Sequence, residues 1–170
     1  MSLSDRELSD LARRKRGVSD ARVISASDVV VAEWVRLKCQ FGCDGYGQCL
    51  VCPPYSPKPD QMRRVLAGYR RGLLLHFEPP ATVMKVVVEL EREVFLRGGW
   101  KALGFGAGPC GLCRTCPVPD GPCAFPGRAR PSMEACGIDV FSTAKNAGFP
   151  LEVVRTRRQR PDYYGLILLE

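Results

Sequence analysis

The chain has 170 residues, a formal charge of +7 and nine cysteines. That length suits one domain burying about 70% of its unfolded surface, so cross-links are not needed to hold a core. Cysteine, at about 5% of residues, lies below the ~8–10% of disulfide frameworks. No apolar stretch reaches signal-peptide length near the N-terminus or the roughly 20 residues of a membrane span elsewhere, so the expectation is a cytoplasmic protein whose thiols stay reduced.

The first elements in chain order are an N-terminal helix and a strand. Leu8 and Leu11 stand one turn apart, followed by Arg13-Arg14-Lys15-Arg16 and a stop at Gly17, which reads as a helical extension over 1–19 with a solvated basic end. Residues 20–170 then form one cysteine-rich domain. Residues 28–38, apolar and β-branched, predict a strand leading into a loop over 39–59 that is rich in Gly and Pro.

A helix is expected from Asp60, with Met62, Val65, Leu66 and Tyr69 on one face. Gly72-Leu-Leu-Leu-His-Phe reads as a buried strand. The spacing over 81–97 predicts a long helix whose face carries Met84, Val87, Val88, Glu91, Val94 and Phe95. Residues 101–108 suit a short strand, Pro131–Cys136 a short helix, and Asp139–Gly148 another. Leu151–Arg155 and Tyr163–Glu170 read as closing strands with Arg157 to Asp162 as their turn. The expected class is α/β or α+β, with a central sheet of about four to five strands, flanking helices and two cysteine-rich loops.

Eight cysteines fall into two clusters: Cys39, Cys43, Cys49 and Cys52, then Cys110, Cys113, Cys116 and Cys123. Gaps of two residues let neighbouring thiolates turn toward one point, as zinc tetrahedra and iron–sulfur cubes need. The second cluster opens as C-x2-C-x2-C, the spacing that puts three thiolates on one cubane. A gap of six precedes Cys123, so Cys136 competes for the fourth place. The first cluster, C-x3-C-x5-C-x2-C, fits a wrapped loop. Its start suggests radical enzymes acting on S-adenosylmethionine, but Tyr46 stands where they need a third cysteine, and the chain is shorter than their barrels.

Zinc is the leading alternative. Cys49-x2-Cys52 could pair with Cys110-x2-Cys113, although the separation exceeds the usual ~15–20 residues. A thiol–disulfide role for one C-x2-C pair would leave six cysteines unexplained. Cys136 reads as a small buried side chain and His76 as a satisfied core histidine. No Ser/His/Asp set, phosphate loop or placed carboxylate pair supports hydrolytic or kinase chemistry.

The basic balance could indicate nucleic acid. Two clusters of net charge about −2 each would lower it to roughly +3, and Arg155, Arg157, Arg158 and Arg160 lack the interleaved aromatics that stack bases.

The stretches KCQFGCDGYG…CPPYSP, GPCGLCRTC with a following PC, RPSMEACGIDVF and YYGLILLE together resemble a small prokaryotic family described as predicted metal-binding proteins, from about residue 20 to the C-terminus. The resemblance implies Cys39, Cys43 and Cys52 as one ligand motif and Cys110, Cys113, Cys116 and Cys123 as the other. The resemblance ties Cys49 and Cys136 to the pattern less firmly, and Cys49 stays among the eight candidate ligands. Three readings follow: a cytoplasmic protein with one or two 4Fe-4S clusters passing electrons to a protein partner, a cluster enzyme with an open iron at Cys39/Cys43/Cys52, or a zinc-stabilised interaction or nucleic-acid module.

Overall fold

The computed structural model describes residues 3–79, 82–156 and 158–170. It is an α+β domain around a four-stranded antiparallel sheet. Helix α1 (Asp5–Arg13) begins with a capping box in which Ser4 and Glu7 satisfy each other's backbone amides. Strand β1 (Val18–Ser25) follows, then α2 (Glu33–Gly42), α3 (Pro59–Leu66) and β2 (Arg71–Phe77). The chain continues through α4 (Val83–Leu96), β3 (Leu103–Phe105), α5 (Val140–Asn146) and β4 (Tyr163–Leu169). The strands lie in the order β1-β2-β4-β3.

Both faces of the sheet are covered, which is why β2 and β4 read as unbroken apolar runs rather than alternating ones. Leu73, Leu75, Phe77, Ile167 and Leu169 point to a layer built by α1 and α4. Leu74, Leu166 and Leu168 point to the opposite layer, with Met62 and Leu66 of α3, Met133, Cys136 and Ile138. Strand β1 shows no clean alternation because its register shifts between Val18 and Asp20.

Two expected strands are not strands. Within 28–38, Val31 does make one extended bridge to Ile138, but the chain turns helical at Glu33. Only Val35 of α2 is buried, while Trp34, Leu37 and Phe41 are exposed. Outward-facing apolar residues had imitated a buried strand. Leu151–Arg155 also forms no strand: Val153 and Val154 are exposed, and β4 already has β2 and β3 as its neighbours. The turn expected to start at Arg157 lies partly outside the described residues, as does Ala81 at the start of the expected long helix.

The long helix exists, rotated by about one position. Its buried residues are Val83, Val86, Val87, Leu90 and Val94, whereas Phe95 is 55% exposed. Glu91 sits at the edge of that face. Its carboxylate accepts from the Gly104 amide at 2.6 Å and takes a two-pronged contact from Arg130 at 2.6 and 2.8 Å. A Cβ at Gly104 would stand 2.5 Å from Val87 Cγ1 and 2.6 Å from Glu91 Oε2. Gly104→Ala should therefore cost about 1–3 kcal/mol by overpacking, read as a lower denaturant midpoint at unchanged slope; an unchanged midpoint would mean that β3 and α4 can separate freely.

Asp20 ties β1 to α1. Burial pulls its carboxyl up, but hydrogen bonds from Arg13, the Ala21 amide and Arg22 outweigh this and hold it below the usual carboxylate range. A lowered folded value contributes stability above the ordinary carboxyl pKa of ~3.9, lost as pH falls through the folded value. Asp20→Asn should thus cost about 1 kcal/mol at neutral pH and little near pH 2, measured by urea titrations at both.

Candidate metal centre

Helix α2 presents Cys39 one turn after Val35, on the side that faces the turn Glu134–Cys136; its Sγ lies 3.9 Å from the Glu134 carbonyl. The helix ends at Gly42, and Cys43 follows in extended conformation. The loop then folds on itself. Tyr46 N donates to Cys43 O, Gly47 N to Pro53 O at 2.7 Å, and Cys52 N to Cys49 O at 2.9 Å. Gly47 has φ +71, a left-handed conformation that glycine adopts without steric cost.

Arg36 holds this loop in place. Its Nη1 donates to Ser56 Oγ at 2.7 Å, Pro57 O at 3.1 Å and Ala135 O at 2.6 Å, and the Ser56 hydroxyl donates to the same Ala135 carbonyl. One guanidinium thereby joins the Cys39 helix, the loop after Cys52 and the turn bearing Glu134. The second loop docks on the first through Leu50 N, which donates to Cys116 Sγ at 3.4 Å.

The cysteines line two adjoining cavities. One, of about 210 Å³, is bordered by Cys39, Cys43 and Cys52 together with Tyr46, Ser132 and Glu134. The other, of about 550 Å³, is bordered by Cys49, Cys110, Cys113, Cys116 and Cys123, with Arg114 on its wall. Gly45 and Pro109 border both. Cys49, grouped by sequence with its neighbours, thus faces the larger cavity, while its Sγ remains 3.1 Å from that of Cys52. Cys136 is fully buried in the core beside Met133 and Ile138 and lines neither cavity.

Among the described residues, no group of three or more His, Cys, Asp or Glu side chains is drawn tightly enough to hold a metal ion as it stands. The donors surround space instead of a point, and each space far exceeds the ~10–15 Å³ that one water needs. Two observations fit a bound group. Burial pushes the Cys52 thiol up to about 12, with the Cys49 thiol adding to it. Burial likewise raises Cys39, helped by Cys43 and Glu134, and Cys110. Thiols whose burial outweighs any nearby cation are poor nucleophiles; a metal reverses this by taking the thiolate form. The second observation is Glu134, whose carboxyl is raised by burial and whose Oε2 is sealed from solvent without a hydrogen-bond partner.

A family model for predicted metal-binding proteins (DUF2284) matches residues 22–169. The chain belongs to this family. No curated protein and no solved structure matches it. Membership makes metal binding the family's predicted property, and both cysteine loops lie within the matched region. The matched region also contains Glu134, which sequence reasoning did not single out. The available signal was a lone acidic residue inside the otherwise apolar run from Met133 to Ile138.

Sequence reading also found no Ser/His/Asp set, yet two strands and the residue before β4 assemble one. Ser19 Oγ lies 2.9 Å from His76 Nδ1, and His76 Nε2 lies 2.7 Å from Asp162 Oδ1. The ring stacks on Tyr164 with centroids 4.9 Å apart. Both ring nitrogens are satisfied, and the array joins β1, β2 and the approach to β4. This is the satisfied histidine that the sequence suggested.

Proposed function

We propose that this family member is an iron–sulfur redox protein holding two 4Fe-4S clusters, one in each cysteine-lined cavity, and passing single electrons to a protein partner. The observation that carries the reading is the adjacency of the two cavities across Gly45 and Pro109. Neighbouring centres can exchange electrons within the chain, whereas one structural zinc would need only four of these cysteines. Cys110, Cys113, Cys116 and Cys123 would hold one cluster, and Cys39, Cys43 and Cys52 would anchor the other. When bound, such clusters supply one-electron chemistry whose potential follows hydrogen bonds and nearby charge. The Leu50 amide on Cys116 and Arg114 on the cavity wall would act in that way.

The partner reading draws on α2. Trp34, Leu37 and Phe41 lie exposed on the helix that carries Cys39, and grouped apolar exposure beside a site marks an interaction surface. No helix among the described residues is long and apolar enough to cross a membrane. A reducing cytoplasmic setting would keep all nine thiols available.

A second reading rests on Cys49. Because it lines the larger cavity, only three cysteines border the smaller one, which leaves a coordination position for a substrate or another protein donor. This is the open-iron enzyme, reached past Gly45 and Tyr46.

The deciding experiment is iron, acid-labile sulfide and zinc per chain on protein purified without oxygen, with its visible spectrum. About eight irons with matching sulfide and absorbance near roughly 400 nm support two clusters. About four leave one cavity to another role. Zinc without sulfide overturns the redox reading and favours an interaction module, for which salt-sensitive binding to nucleic acid would be the next assay.

A further inference from the structure

Glu134 is the feature of the smaller cavity that the redox reading does not use. It stands at the start of the turn Glu134–Cys136, and the Ser132 hydroxyl caps that turn by accepting from the Ala135 amide at 3.0 Å. Its backbone carbonyl faces Cys39 Sγ at 3.9 Å, so the residue is held beside a candidate ligand. The residue lines the same cavity as Cys39, Cys43 and Cys52.

Among the described residues, Glu134 Oε2 is the one buried side-chain polar atom without a hydrogen-bond partner. Buried carboxylate oxygens are almost always paired, because leaving one bare forfeits its hydration with nothing in return. The cation that ties these segments together does not resolve this. Arg36 directs its Nη1 to Ser56, Pro57 and Ala135. A salt bridge to Glu134 is also absent among the described residues, where the acidic partners found are others, such as Glu91 and Glu93. The residue that carries this oxygen lines the cavity with three thiols.

We propose that the Glu134 carboxylate is the fourth protein ligand of the centre anchored by Cys39, Cys43 and Cys52, making it a three-cysteine, one-carboxylate site. The proposal rests on the reading that this cavity holds metal, and it fills the position that reading left open. Carboxylate oxygen is a regular donor to iron and zinc. Weaker and harder than thiolate, it makes one metal of the centre distinct from the others and easier to displace. The larger cavity, with five cysteines, needs no such donor.

The test uses the full chain reconstituted without oxygen from ferrous iron and sulfide, as wild type, Cys43→Ser and Glu134→Gln. Three quantities are read: iron per chain, the rate of iron loss to a chelator, and the melting temperature of each metal-free protein. Cys43→Ser should lose the iron of the smaller centre. Glu134→Gln should keep the larger centre's iron and release the smaller centre's on the order of tenfold faster or more. Its Mössbauer spectrum should lack the one iron that differs from its neighbours in wild type. The metal-free Glu134→Gln protein should melt no lower than wild type, because the change can be confined to the one buried oxygen that has no partner.

Unchanged iron release and an unchanged spectrum in Glu134→Gln, with iron lost in Cys43→Ser, overturn the carboxylate ligand while leaving the metal site standing. A metal-free Glu134→Gln protein that melts lower, with release unchanged, assigns the carboxylate to the fold instead. Iron in Cys43→Ser equal to wild type shows that the smaller cavity holds none, and both readings fall together.

Discussion

Cys39→Ser is expected to remove about half of the iron per chain and leave the remainder spectroscopically intact. Cys39 borders the smaller cavity alone, and its serine replacement offers a donor that does not form the soft thiolate iron prefers. The larger cavity lies across Gly45 and Pro109 and takes its cysteines from residue 49 and from the loop over 110–123, so it should fill as in wild type. Cys49→Ser is the informative contrast. Four cysteines remain around the larger cavity after this change and three around the smaller, so iron per chain should stay at the wild-type value. If Cys49→Ser instead empties one centre as Cys39→Ser does, Cys49 is a required ligand and the assignment by cavity is mistaken.

Arg36→Ala should be the most damaging single change outside the cysteines. The guanidinium reaches Ser56, Pro57 and Ala135 from a half-buried position. Hydrogen bonds to a charged donor contribute about 1.5–3 kcal/mol each; the Ala135 carbonyl would keep the Ser56 hydroxyl and the other acceptors would partly rehydrate, so a loss of about 3 kcal/mol is expected. For a chain of this length that corresponds to a fall in melting temperature of roughly 6–12 °C. The effect should extend to the metal, because the three segments joined by Arg36 are those that bear Cys39, Cys52 and Glu134. Iron in the smaller centre should become labile while the larger centre persists. Arg36→Lys should recover only part of either property, since an ammonium lacks the planar fork. A melting temperature within a degree of wild type would show that the loop is held by other means.

The two effects separate ligation from positioning. Loss of Cys39 acts through a missing donor and should leave the metal-free fold almost unchanged, because the thiol makes one long contact to the Glu134 carbonyl. Loss of Arg36 acts through the scaffold and should be visible with or without metal.

Much of the architecture was legible in the chain. Local signals located α1, α3, α4 and α5, as well as β2, β3 and β4, because each carries a cap, a stop or an apolar period strong enough to stand alone. The long helix was found with its face misplaced by a position: in a run as apolar as Val83 to Val88, burial is chosen by the sheet beneath and not by the pattern. The segment at 28–38 was misread for the opposite reason. Trp34, Leu37 and Phe41 are apolar yet exposed, and a pattern of side chains cannot state which of them will find a partner. Likewise Val153 and Val154 have strand-like chemistry, but a strand also needs an edge to pair with.

Sequence by itself determined that eight cysteines lie in two clustered loops, that Cys123 and Cys136 were the competing candidates for one place, and that metal is the economical reason for such spacing. Tertiary structure alone decided how the thiols are shared out. Cys49 is three residues from Cys52, yet the loop turns its side chain toward the other cavity, since spacing limits what can meet without choosing between neighbours on a flexible Gly- and Pro-rich backbone. Glu134 reaches the smaller cavity from 95 residues beyond Cys39. No local pattern could announce that meeting, because it depends on Arg36, Ser56 and the turn at Ala135 holding three distant segments against one another.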